Sequence, residues 1–125
     1  AGDFPKGQLP FNERHKDVLE AALSDVHEID FVINRSLVLQ GKWNKLFKEI
    51  IKLRKTCGPR CAKTILSTGE YKNLEQVWRA SMTAMSAGSD FIKTSTGKEE
   101  VNANLRHGVI MCEAIKEFHR LTGRR

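Results

Sequence analysis

Three charged residues stand inside short runs that are otherwise apolar. Asp30 lies in Glu28-Ile-Asp-Phe-Val-Ile33, Lys63 in Lys63-Thr-Ile-Leu-Ser67, and Lys93 in Asp90-Phe-Ile-Lys-Thr-Ser95. Each run has the length and composition of a β-strand, in which alternate side chains share a face. Asp30 then sits with Glu28 and Val32, opposite Ile29, Phe31 and Ile33. Lys63 sits with Ile65 and Ser67. Lys93 sits with Phe91 and Ser95, opposite Ile92 and Thr94. A charge buried mid-strand costs several kcal/mol unless it is paired. One such residue is most simply a strand-end charge reaching water; three on consecutive strands argue for a shared pocket. A lysine held among apolar groups and beside another ammonium loses its proton more readily. It then becomes an amine nucleophile for carbonyl groups.

The elements that would position these residues follow from the pattern. The three runs recur about every 30 residues, the size of one βα unit, and each is followed by a helical stripe. Such alternation predicts a parallel sheet. One helix is expected from near Asn12 to near Val26, with Val18, Leu19, Ala22 and Leu23 inward. A second follows Ser36, with Trp43, Leu46, Phe47, Ile50 and Ile51 recurring at three and four. A third starts near Asn73, a suitable N-cap, carries Leu74, Val77, Trp78 and Met85, and ends at Gly88 in a left-handed conformation. A fourth runs from about Val101 to Leu121, with Leu105, Met111, Cys112, Ile115 and Phe118 inward, and stops at Gly123. These stripes read as core packing, not as cofactor sites.

The other signals are weaker. The 125 residues fit a single domain, 1–125, and 40% hydrophobic content is enough for a core. The net charge of +6 fits a solvated basic surface or an attraction for anions. No basic stripe interleaved with aromatic residues, zinc finger or basic zipper points to nucleic acid. No apolar run approaches membrane-spanning length, and no secretory signal is present. Three cysteines form no disulfide framework and suit a reducing, cytoplasmic setting. Cys57-Gly-Pro-Arg-Cys61 lacks a second ligand pair, so no metal site is expected. His15, His27, His107 and His119 read as surface residues. Gly97-Lys98 does not complete a phosphate loop, because Glu99 follows the lysine and Ile92 stands where the first glycine is required. Asn34-Arg35-Ser36 matches a glycosylation acceptor, which means little without a secretory signal.

The stretch Asp90-Phe-Ile-Lys-Thr-Ser-Thr-Gly-Lys98 is similar, residue for residue, to the signature of deoxyribose-phosphate aldolases. The resemblance covers nearly the whole chain. Phe4-Pro-Lys-Gly7 looks like that family's loop after its third strand, and Glu28 to Asn34 like its fourth strand. Lys63-Thr-Ile-Leu-Ser-Thr-Gly-Glu70 looks like its fifth strand, and Val101-Asn102-Ala103 like the start of the helix behind its sixth. The resemblance implies an α/β fold: part of a (β/α)8 barrel, three to four βα units with parallel strands and helices outside.

It also implies a class I aldolase that reversibly cleaves 2-deoxy-D-ribose 5-phosphate to D-glyceraldehyde 3-phosphate and acetaldehyde. Lys93 would form the Schiff base, Asp30 would donate and accept protons, and Lys63 would share the pocket. Thr96, Gly97 and Lys98 would meet the substrate. No metal and no organic cofactor is implied. The partner is a small phosphosugar, without nucleic acid or membrane, and a homo-oligomer is expected. Ala1 to Gly7 reads as a loop after an absent strand, and Leu121 to Arg125 as a helix end with no strand to follow. The family's next strand carries a second essential lysine, and its last two strand loops bind much of the phosphate. The chain alone is therefore expected to be inactive or weak, with its polar face wet or covered by another copy. A non-catalytic, self-associating half-barrel is the alternative.

Overall fold

The computed structural model describes residues 10–24, 26–93 and 105–123. Among the described residues, five α-helices and three strands follow in the order α1 Phe11–Leu23, β1 Glu28–Val32, α2 Arg35–Leu39, α3 Trp43–Cys57, β2 Cys61–Ile65, α4 Leu74–Ser86, β3 Phe91–Lys93 and α5 Leu105–Thr122. A single 3-10 turn at Thr68–Glu70 links β2 to α4. The strands form one sheet in the order β1-β2-β3, and both pairings are parallel. The expected strands are present; β2 starts two residues earlier than its apolar run suggests, and residues 94 and 95 of the third run lie outside the described residues.

The sheet's helix side is the core. Ile29, Phe31, Ile33, Ala62 and Leu66 pack there with Val18 of α1, Leu37 and Val38 of α2, Leu46, Ile50 and Leu53 of α3, and Val77, Ala80 and Ala84 of α4. Burying each large apolar side chain contributes roughly 1.5–3 kcal/mol, which is what holds the helices to one face of so small a sheet. Ala114 and Phe118 of α5 pack with Met85 of α4 in a second cluster, while Met111 joins the first.

Several local details differ from the sequence reading. The helix expected after Ser36 is two helices, because Gly41 takes φ +70°. The amide of Lys42 donates to Leu37 O, and that of Gly41 to Val38 O, the paired bonds of a glycine-terminated helix. Asn34 caps α2, its side chain accepting from the Ser36 amide at 3.0 Å. In α1, Leu19 is 42% and Leu23 79% exposed; the inward row is Arg14, Val18 and Ala22. The helix is turned so that Arg14 can pair with Glu49 of α3 and lie over the Phe11 ring. In α5 the buried row at 111, 114 and 118 leaves Cys112 and Ile115 exposed, so both were misplaced as core residues. His15 and His107 are half-buried, not surface residues, and His15 bonds the Thr56 hydroxyl at 2.7 Å. Gly88 ends α4 as expected, at φ +101°.

Candidate active site

Parallel register decides which side chains meet on the sheet face turned away from the helices. Glu28 is level with Cys61. One step further along, Asp30 is level with Lys63, which is level with Phe91. The next row holds Val32, Ile65 and Lys93. Asp30, Lys63 and Lys93 therefore share this face, and Lys93 lies on the strand beyond Lys63. Ile92, with the opposite orientation, packs against the helix-side core.

Two ion pairs cross the face along parallel diagonals. Lys93 Nζ donates to Asp30 Oδ2 at 2.7 Å, reaching over β2 and one row back. Lys63 Nζ lies 2.9 Å from Glu28 Oε2, again one row back, and 5.6 Å from the centre of the Phe91 ring. Diagonal neighbours in a sheet are within reach only of long side chains, and both cations here are lysines. The groups are partly wet: the side chains of Lys93 and Asp30 are 43% and 34% exposed. Val32 and Ile65, on the same face, are fully buried. The hydrogen bond that Lys63 donates to Glu28 holds its ammonium above the ordinary lysine value; the nearby Asp30 charge adds to this effect. Lys63 is thus a fixed cation. Asp30 accepts a hydrogen bond from Lys93.

The strand ends are pinned by groups that the sequence reading did not single out. The Asp90 carboxylate accepts from the Ala62 amide at 2.9 Å, while the Asp90 amide donates to Ala62 O at 2.9 Å. Arg54 of α3 bonds Gly88 O through Nε and Gly58 O through Nη1, each at 2.9 Å, and its Nη2 lies 3.4 Å from Asp90 Oδ2. At the other end of β2, Ser67 is fully buried with φ +59°, a conformation rare without glycine. Tyr71 donates its hydroxyl proton to Leu66 O beside it. Glu28 was legible, two residues from Asp30 on the same face. Nothing in the sequence marks Arg54.

Thr96, Gly97 and Lys98 lie outside the described residues, as do Phe4 to Gly7 and Val101 to Ala103. Among the described residues, no cluster of three His, Cys, Asp or Glu could hold a metal ion, and no helix is long and apolar enough to cross a membrane.

A family model described as DeoC/LacD family aldolase matches residues 3–121. The human protein named deoxyribose-phosphate aldolase is 51% identical over 123 residues, covering 98% of this chain and 39% of that protein. The Agrobacterium fabrum protein of the same name is 40% identical over 123 residues, covering 97% of this chain and 47% of that protein. Among solved structures, "QR15, an Aldolase" superposes with a TM-score of 0.82 at 27% identity, covering 90% of this chain and 51% of that one. A Coccidioides immitis structure provisionally named a deoxyribose-phosphate aldolase gives 0.86 at 21% identity, covering 92% and 45%; it bears on the fold alone. The chain spans between about two-fifths and one-half of these relatives. Its three parallel βα units are thus part of a barrel fold, as the sequence implied.

Proposed function

Because the chain belongs to the DeoC/LacD aldolase family, we propose that it supplies the Schiff-base half of a deoxyribose-phosphate aldolase site. The reaction is the reversible cleavage of 2-deoxy-D-ribose 5-phosphate to D-glyceraldehyde 3-phosphate and acetaldehyde. The observation that carries the assignment of roles is the 2.7 Å contact between Lys93 and Asp30 on the face away from the helices.

Asp30 is the natural acceptor for the proton that Lys93 must lose before it can attack. The free amine adds to the aldehyde carbon of the sugar; Asp30 returns its proton to the hydroxyl so formed, which leaves as water to give the protonated imine. Protonated, the imine draws in the electron pair of the bond between the second and third carbons. The hydroxyl on the third carbon gives up its proton, through water, to Asp30. Glyceraldehyde 3-phosphate departs, and an enamine of two carbons remains on Lys93. Protonation at its terminal carbon and hydrolysis release acetaldehyde and restore the amine. Lys63 contributes a permanent positive charge beside these steps. Thr96, Gly97 and Lys98, following Lys93, are assigned to the substrate's phosphate and hydroxyls. Barrel sites form at this end of the strands. These steps need neither a metal nor an organic cofactor. Three free cysteines fit a reducing compartment, and we assign the protein to the cytoplasm.

The activity is assigned to a barrel of the relatives' full length. The test grafts this segment into the human relative and measures acetaldehyde release from the phosphosugar. Acetaldehyde with borohydride should place an ethyl group on Lys93, and Lys93→Arg should lose both label and turnover. Turnover that survives Lys93→Arg, or a label on another lysine, sinks the assignment. In the isolated 125 residues, trapping at neutral pH is expected to be weak; efficient trapping there would withdraw that part.

A second reading is a self-associating module. It is favoured by one observation: beside β3, an apolar cavity of about 350 Å³ is lined by Met85, Phe91, Ile92, Ile115 and Phe118. Sedimentation of the isolated chain distinguishes it, since this reading requires a dimer or larger species.

A further inference from the structure

We infer that Glu28 is a positioning residue for the proposed reaction: it draws Lys63 aside and so leaves Asp30 to Lys93. The functional weight of this inference rests on the proposed role of Lys93; the geometry does not.

The argument starts from the register. Asp30 and Lys63 are partners on adjacent strands, where side chains on one face stand about 5 Å apart. Lys93 is one strand further away and one row further along. On distance alone, Asp30 should take Lys63 as its partner. It bonds Lys93 instead, at 2.7 Å, and Lys63 turns back one row to Glu28, at 2.9 Å. Among the described residues, two carboxylates, Glu28 and Asp30, and two ammonium groups, Lys63 and Lys93, pair on this face, and their pairing is not the nearest-neighbour one.

Glu28 explains the choice. It stands on the same face as Asp30, two residues earlier, and its longer side chain reaches diagonally to Lys63. The stem of Lys63 also lies where its ammonium can face the Phe91 ring at 5.6 Å, a contact on the far side of β2 from Asp30. Opposite charge and ring together anchor Lys63. The Asp30 field still acts on Lys63, so the alternative pairing remains within electrostatic reach. Removing the Glu28 charge should release Lys63 to Asp30, leaving Lys93 without its acceptor. No bond is made or broken in this exchange; only the partners change.

Nζ-detected NMR of the lysine side chains, without any aldehyde, reads the pairing directly. In the parent chain both Lys63 and Lys93 should give slowly exchanging Nζ signals, with Lys93 coupled to Asp30. In Glu28→Gln the Lys93–Asp30 coupling should be lost and a Lys63–Asp30 coupling should appear. In Glu28→Asp, which keeps the charge, the original pairing should be retained at least in part. Adding Lys63→Met to Glu28→Gln should restore the Lys93–Asp30 coupling, since the competitor is gone. A merely structural role for Glu28 predicts neither the exchange nor the restoration. Persistence of the Lys93–Asp30 coupling in Glu28→Gln overturns the inference. Because no imine is formed, that result is separable from failure of Lys93 to trap acetaldehyde.

Discussion

Lys63 and Lys93 are chemically the same side chain, on neighbouring strands and one row apart, and their surroundings make them different tools. Lys63 is held as an ammonium by Glu28. A lysine whose folded value is raised stabilises the fold at every pH below the ordinary lysine range. That contribution is lost only as the pH rises through the raised value. The pair is partly exposed, so its share is small. Arg14 and Glu49 make a sharper case. Both are buried, at 1% and 8% exposure, and they bond across α1 and α3. Glu49→Ala leaves a guanidinium buried without this carboxylate and should cost about 3–5 kcal/mol, read as a lower urea midpoint. A loss under 1 kcal/mol would mean that water reaches Arg14. Neither residue was legible as a core member, since a charged residue on a helical stripe normally faces solvent. By contrast, alternation gave each of Asp30, Lys63 and Lys93 a definite face within its own strand, and the parallel register brings those faces together.

At the scale of elements, the position of Lys93 depends on how β3 is fastened. Its described residues are Phe91–Lys93. A slip of one residue would turn Lys93 to the helix side. Asp90 prevents this by bonding both the amide and the carbonyl of Ala62, while Arg54 braces it from α3. Asp90→Ala leaves the Ala62 amide without that acceptor, a loss of about 1–3 kcal/mol. Hydrogen exchange should show residues 91–93 losing protection while α1 and β1 keep theirs. Uniform loss across the sheet would argue against a local clamp. The βα periodicity was readable because apolar runs and stripes repeat. The break at Gly41 was not, since α2 and α3 carry one continuous stripe and only the glycine's conformation divides them.

At the scale of the molecule, the three strands and their helices account for part of the barrel seen in longer relatives. Phe91 is 57% and Ile115 40% exposed, and both line the apolar cavity beside β3. If this surface associates between copies of the isolated chain, Phe91→Ser and Ile115→Ser should each shift sedimentation toward monomer. A monomeric parent chain would dispose of the self-association reading. The same parallel topology has a consequence for how the chain reaches its fold. Each strand meets its neighbour only after about thirty intervening residues have been gathered in, and closing such loops costs entropy before any sheet contact repays it. The helices, built from local bonds, can form in the meantime. Lys93 would then be among the last residues to find its place, because its strand can dock only on a β2 already laid down. On that order the ion pair with Asp30 would form late, after β2 has docked on β1.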